Sequence, residues 1–181
     1  MAYLITCAGS KRTPVHLNPS TIEDLSFNDL LFDSRERLIA LRGIQLDWTK
    51  TLPAWQLYSG PRSKTYPPVS ITNWNKPCAD IRILSALFGW IKYTDRIPYY
   101  DLMMEDTIAS TKQKVNKYWF NQNLLDQVIS EADIDLLSKV YRKAINWRGV
   151  ISAIEPAEHF TDRGVQKGIW LNNQLSLINC D

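Results

Sequence analysis

Cysteine and histidine are scarce in this 181-residue chain: it carries Cys7, Cys78 and Cys180, and His16 and His159. Three thiols make neither a disulfide framework nor a four-thiolate zinc site. They are read as reduced thiols of an intracellular, cytoplasmic protein. The two histidines lie far apart, without His-Glu-x-x-His or Cys/His spacing, so no metal or other cofactor is expected. A Gly-x-Ser-x-Gly nucleophile elbow is also missing. No apolar run approaches the roughly 20 residues of a membrane-spanning helix. Met1 to Thr6 lacks the basic and long apolar regions of a secretory signal, and no membrane partner is expected. Neither sign of charge dominates: 21 Lys and Arg face 19 Asp and Glu, a balance that does not by itself announce nucleic-acid binding.

What is present describes a globular protein. Apolar residues make up 45% and charged residues 22%, which argues against disorder, collagen-like structure and coiled coil. At this length one domain spanning residues 1–181 is expected, with a sizeable core. Seven tryptophans are many for the length, and they suit either a core or a set of stacking faces. Residues 61–120 hold nine basic against five acidic side chains, so the middle third is where an anion-binding surface is favoured.

Four short continuous apolar runs read as buried strands: Tyr3–Cys7, Trp55–Tyr58, Ile81–Leu84 and Val150–Ile154. Helical patterns lie between them. Asn28–Leu41 ends before Gly43 and follows Ser20-Thr21-Ile22-Glu23, which has capping-box spacing. Asn121–Ser130 and Asp135–Ile145 each place apolar residues on one face. Strands interleaved with helices predict an α/β fold, a mixed sheet with helices packed on it. Pro61–Pro77, rich in proline and small polar residues, reads as a surface excursion.

The candidate site gathers at strand ends. The first strand runs into Ala8-Gly9-Ser10-Lys11-Arg12, where small residues expose backbone amides and two cations follow. This is neither a Walker motif nor a dinucleotide fingerprint, and an ordinary polar turn is its plain alternative. The second run leads into Tyr58-Ser59-Gly60-Pro61-Arg62, the third into Ser85, and the fourth into Glu155. Ligands of open α/β sheets gather beyond the carboxyl ends of the strands, so Lys11, Arg62, Ser85 and Glu155 converge if those ends share an edge. For Glu155 a helix cap or an ion pair is the competing role. Cys7 reads as a small core residue rather than a nucleophile. Tyr118-Trp119-Phe120 reads as a helix anchor rather than a base-stacking surface, and Lys112, Lys114 and Lys117 as a solvated face.

These segments, in order, resemble the peroxide-stress protein YaaA family and its shorter relatives. Ile83-Leu84-Ser85-Ala86-Leu87-Phe88-Gly89-Trp90 followed by Ile97-Pro98-Tyr99 is similar to the family's LSGLYG…PY signature. Leu57-Tyr58-Ser59-Gly60, Leu4 to Lys11, Val115 to Ile129 and Ile151 to Phe160 resemble further family segments. The chain departs from familiar members in a reduced basic carboxy-terminal part. Tyr100, Asp101 and Leu102 follow Tyr99, where an arginine and a glutamate are usual, and this is closer to the shorter relatives. The resemblance implies an α/β fold with a cationic cleft, duplex DNA or a nucleobase as ligand, and a link to oxidative stress or nucleobase modification.

The expected partner is accordingly a nucleic acid or a nucleotide-like ligand. Lys11, Arg12 and Arg62 would hold phosphate, and Tyr58 or Tyr99 would stack on a base. Asp101 and Glu155 are the carboxylates for acid–base work, with Ser85 as an orienting hydroxyl. Metal-independent chemistry at a nucleobase or its glycosidic bond suits such a pair. A non-catalytic DNA-binding stress protein and a small-molecule biosynthetic enzyme are the rival readings.

Overall fold

The computed structural model describes residues 1–147 and 163–180. Four strands form one sheet in the order β4-β3-β1-β6, built from β1 (Tyr3–Thr6), β3 (Ile81–Ser85), β4 (Gly89–Lys92) and β6 (Ile134–Asp135). Strand β1 runs parallel to both β3 and β6, while β4 returns antiparallel along β3. Two further strands, β2 (Thr51–Pro53) and β5 (Arg96–Pro98), pair antiparallel beside it. Helices α1 (Asn28–Arg42), α2 (Ala54–Leu57), α3 (Ile71–Trp74), α4 (Val115–Gln122), α5 (Lys139–Arg142) and α6 (Arg163–Leu177) complete the α/β architecture. Leu4 and Ile5 of β1 and Ile81 and Ile83 of β3 are fully buried, as expected of parallel strands covered on both faces.

Most of the tryptophan serves the core. Trp74 is sandwiched between Trp55 and Tyr66, with ring centroids 5.6 and 5.7 Å away. Trp90 and Trp119 are fully buried and donate their indole N–H groups to the carbonyls of Leu125 and Ala86. The buried Tyr118 hydroxyl donates to the Ser34 carbonyl, and burial pushes that phenol up to about 12. The segment Tyr118-Trp119-Phe120 is thus an anchor through its first two residues.

Helix α1 closes as its sequence predicts, at Gly43 with φ +60, whose N–H returns to Ala40. Its start differs. The spacing of Ser20 to Glu23 produces a separate turn in which Asp24 accepts from Ser20 and Thr21, and α1 begins later, after Phe27. Arg35 is fully buried on α1. It donates to the carbonyls of Phe88, Trp90 and Ser26 and to Asn28, which fixes the turn between β3 and β4 against the helix.

Three other expectations change. Trp55–Tyr58 is a helical turn, α2, because Pro53 ends β2 and the next amides turn back onto Asp95 and Tyr93. A four-residue apolar run fits either geometry. The pattern over Asn121–Ser130 breaks at Asn123, which adopts φ +55 between α4 and a 3-10 turn at Leu125–Val128. The stretch Asp135–Ile145 splits into β6 and α5, since the Leu136 amide bonds to Leu4 and extends the sheet. The predicted strand Val150–Ile154 lies outside the described residues. The thiols also differ from expectation: Cys78 and Cys180, 102 positions apart, are joined in a disulfide, and Cys7 is free and buried. Sequence spacing says nothing about such a pair until the fold sets their Cα atoms 5.7 Å apart.

Gly89 stands at φ +64, and a Cβ there would lie 3.1 Å from Trp119 and 3.2 Å from Leu125. Gly89→Val therefore combines an unfavourable backbone with overpacking, and should destabilise the protein by roughly 2–4 kcal/mol. Urea denaturation monitored by tryptophan fluorescence checks this. An unchanged midpoint would refute it.

Candidate functional site

Because β1, β3 and β6 are parallel, their carboxyl ends open on one sheet edge, and three chain segments meet there. Cys7 follows β1, Ser85 ends β3, and Tyr141 belongs to α5 just beyond β6. Tyr58 enters from the end of α2 and Tyr100 from the segment after β5.

These side chains form a buried polar cluster. Tyr58 donates to Ser85 Oγ at 3.2 Å, Ser85 lies 2.9 Å from the Tyr100 hydroxyl, and Tyr100 lies 2.7 Å from that of Tyr58. If Ser85 donates to Tyr100 and Tyr100 to Tyr58, the three hydroxyls close a ring with each proton used. Ser85 Oγ also accepts the amides of Leu87 and Phe88 and so shapes the turn that leads to Gly89. Cys7 Sγ lies 2.9 Å from the Tyr141 hydroxyl and 4.0 Å from that of Tyr100. Burial, and then the Cys7 thiol nearby, push the phenols of Tyr58, Tyr100 and Tyr141 well above their usual range. At neutral pH these three phenols are uncharged donors and acceptors.

A charged rim surrounds it. The Ala8–Lys11 turn and the turn after Tyr58 are locked together: the Arg62 amide donates to Ser10 Oγ at 3.0 Å and the Arg12 amide to Leu57 at 2.7 Å. Gly60 permits this approach, since a Cβ there would lie 2.6–2.7 Å from the backbone of Ser10 and Lys11. Lys11 sets its ammonium over the Tyr100 ring, 4.4 Å from the centroid. Burial lowers the Lys11 pKa, and the proximity of Cys7, Asp101 and Asp106 partly offsets this.

The structure brings Lys11, Arg12, Tyr58, Arg62 and Ser85 to this edge, with changes of role. Tyr58 is fully buried and presents a hydroxyl, so it is not a stacking face. Ser85 is equally buried and acts on its neighbours, as an orienting hydroxyl does. Arg12 is exposed, but its Nε is committed to the Ser59 carbonyl, which makes it part of the lock between the turns. Arg62 is exposed at the rim. Tyr99 is 46% exposed and Asp101 is exposed beside it. Glu155 lies outside the described residues.

Sequence reasoning missed Tyr100 and the part that Cys7 and Tyr141 play in the cluster. The signal for Tyr100 was faint, because apolar Tyr99 and Met103 share the segment with it. From Pro98 to Met104 burial alternates strictly, with Tyr100, Leu102 and Met104 inside and Tyr99, Asp101 and Met103 outside, as an extended chain requires. Two open grooves, of about 480 and 490 Å³, lie elsewhere, one beside α1 at Ile39 and Trp48, the other between Lys117, Phe120 and Trp147. Among the described residues no three His, Cys, Asp or Glu side chains gather as a metal-binding group. Nor is any described helix long and apolar enough to cross a membrane.

Gly60→Ala tests the lock between the turns. Its Cβ would meet backbone rather than a flexible side chain, so the substitution should cost roughly 1–3 kcal/mol by overpacking. Thermal melting of the variant checks this, and a melting temperature equal to that of the parent would show that the turns yield freely.

A comparison with curated proteins finds no match. A family model described as peroxide stress protein YaaA matches residues 19–167, a range that holds Tyr58, Gly60, Ser85, Tyr100, Asp101 and Tyr141 and leaves Cys7 and Lys11 in the preceding turn outside it. With most of its length so matched, the chain belongs to the peroxide stress protein YaaA family.

Proposed function

We propose that this family member binds a nucleic acid or a nucleotide-like ligand at the carboxyl edge of its parallel strands. One observation carries the reading: the Ser10-Lys11 and Gly60-Arg62 turns are fastened together, so Lys11, over the Tyr100 ring, and the turn that carries Arg62 come together beside one set of buried hydroxyls. Backbone amides in small-residue turns combined with a lysine and an arginine favour phosphate. Tyr99, exposed on the outward side of its segment, offers the face for a base. Tyr58, the other stacking candidate, supports the floor of the site instead.

A catalytic extension of this reading rests on the neutral cluster beneath the rim. Asp101 is the carboxylate on hand for proton transfer, Lys11 holds negative charge, and Ser85 orients through Tyr58 and Tyr100. Such a set suits metal-independent exchange or cleavage at a nucleobase or its glycosidic bond.

Lys11→Ala and Arg62→Ala should each weaken binding of a nucleoside monophosphate or a short DNA duplex by roughly 1–3 kcal/mol. Each should also show a shallower salt slope than the parent. Calorimetric titration at two salt concentrations measures both, and unchanged affinity and slope in the two variants would overturn the site.

Lys11 adds a pH dependence with a definite sign. Its pKa is lowered by burial, so its charge is lost at a lower pH than that of an ordinary lysine. Affinity for the phosphate should therefore fall as pH rises through this lowered value, at a lower pH than an ordinary lysine would lose its charge. Lys11→Arg, which stays protonated throughout, should bind with little change over the same rise in pH. Parallel pH profiles for parent and variant would contradict the assignment.

A further inference from the structure

The Cys78–Cys180 bridge joins two exposed residues, one just before β3 and the other just beyond α6. Exposed disulfides are open to thiol exchange and tend to be the labile ones, whereas a buried structural bridge is shielded. What this bridge fastens is helix α6. Along the same seam the amide of Asn73, a buried side chain of α3, donates to the Asn172 carbonyl at 3.0 Å and to Ser176 Oγ at 3.0 Å. Lys76 Nζ donates to the carbonyls of Leu175 and Ile178. Three of these bonds lie on the half of α6 nearest Cys180, and the fourth on Ile178 just beyond it.

The other half of α6 lies on the excursion that follows Arg62. A Cβ on Gly168 would sit 2.2 Å from the Thr65 carbonyl oxygen and 3.0 Å from Pro68, and one on Gly164 would sit 2.6 Å from Lys64 Cβ. The helix backbone is in close contact there with residues 64–68. Tyr66, between those contacts, is buried and donates its hydroxyl to the Thr6 carbonyl at the end of β1. Helix α6 therefore backs the chain between the Arg62 turn and the central strand. Leu171 and Leu175 bury its apolar face independently of the bridge.

We propose that the Cys78–Cys180 bridge is a reversible redox clasp: closed, it holds α6 firmly against residues 64–70; open, it leaves that packing to the apolar face and the Asn73 and Lys76 hydrogen bonds. Closure by a peroxide is balanced. One thiolate attacks the peroxide oxygen and forms a sulfenic acid as the O–O bond breaks, and the first water leaves. The second thiolate then displaces the sulfenic oxygen as water, so two thiols are oxidised and one peroxide is reduced. Opening needs a dithiol, which takes up the disulfide by exchange and is itself oxidised.

Hydrogen exchange read by mass spectrometry tests this on the full chain. The oxidised protein should present one reactive thiol after denaturation, and the dithiol-reduced protein three. Reduction should speed exchange at least 10-fold in peptides covering 163–177 and 64–70, and leave those of β1 and β3 unchanged. One equivalent of hydrogen peroxide should restore slow exchange and remove two thiols. Cys78→Ser and Cys180→Ser should exchange like the reduced protein with or without dithiol. The proposal is overturned by unchanged exchange in both segments on reduction, by acceleration spread equally over β1 and β3, or by failure of peroxide to reverse the effect. The clasp's influence on ligand rests on the phosphate-site reading above. Exchange is measured without ligand, so the clasp stands or falls separately from nucleotide affinity.

Discussion

A buried cation that bonds no carboxylate among the described residues fastens helix α1 to the turn between β3 and β4. Arg35 is fully buried, and desolvation lowers its pKa to about 10, with Asp95 partly opposing the shift. Burying a guanidinium is unfavourable unless its donors are used. Here they go to the Phe88, Trp90 and Ser26 carbonyls and to Asn28. Asp95 takes the other side of Ser26, accepting its amide and its hydroxyl. The β3–β4 turn, the lead into α1 and the approach to β5 are thereby fastened at one place. Removing any one partner would strand polar groups in the core, which makes this geometry cooperative.

That fastening governs the site because Phe88 is also the residue whose amide caps Ser85. Arg35 fixes the far side of the turn and Ser85 the near side. The hydroxyl of Ser85 therefore reaches Tyr58 and Tyr100 in one orientation. Gly89 supplies the positive φ that lets the chain leave the turn, and Trp119 fills the space its missing side chain provides. The helix α4 anchor, the turn and the hydroxyl ring are one connected arrangement.

Several of these parts were legible in the sequence. Continuous apolar runs identified β1 and β3, and Gly43 marked the end of α1, since burial on two faces and a left-handed helix terminus each leave a local signature. The meeting of the Lys11 turn with Ser85 follows from the parallel pairing of β1 with β3. The Arg62 turn instead arrives from helix α2 and not from the expected strand end, and Glu155 lies outside the described residues. Other features depended on partners far along the chain. Nothing near Trp55 distinguishes a buried turn from a strand, and the decision falls to backbone bonds with Asp95 and Tyr93. The disulfide and the Cys7–Tyr141 contact join positions more than 100 apart. Tyr58 was placed at the right edge but in the wrong role, because an aromatic ring and a hydroxyl are one residue and only packing chooses between them.

The division between neutral floor and charged rim has a chemical consequence. Tyr58, Tyr100 and Tyr141 hold their protons far into the alkaline range, so the cluster cannot itself balance the charge of a bound anion. On the function proposed above, that work would fall to Lys11 and the turns beside it. Lys11 is partly withdrawn from water and set over the Tyr100 ring, which makes its charge costly in the free protein. An arriving anion relieves part of that cost, because an opposite charge in a poorly solvated place interacts strongly. A cation kept under-solvated before binding discriminates in favour of ligands that bring negative charge to that point. On the proposed function Arg62, exposed and screened by salt, would select less among anions than Lys11. In the proposed site the two cations would thus differ in kind: Arg62 exposed to solvent, and Lys11 set over Tyr100 beside the hydroxyl ring.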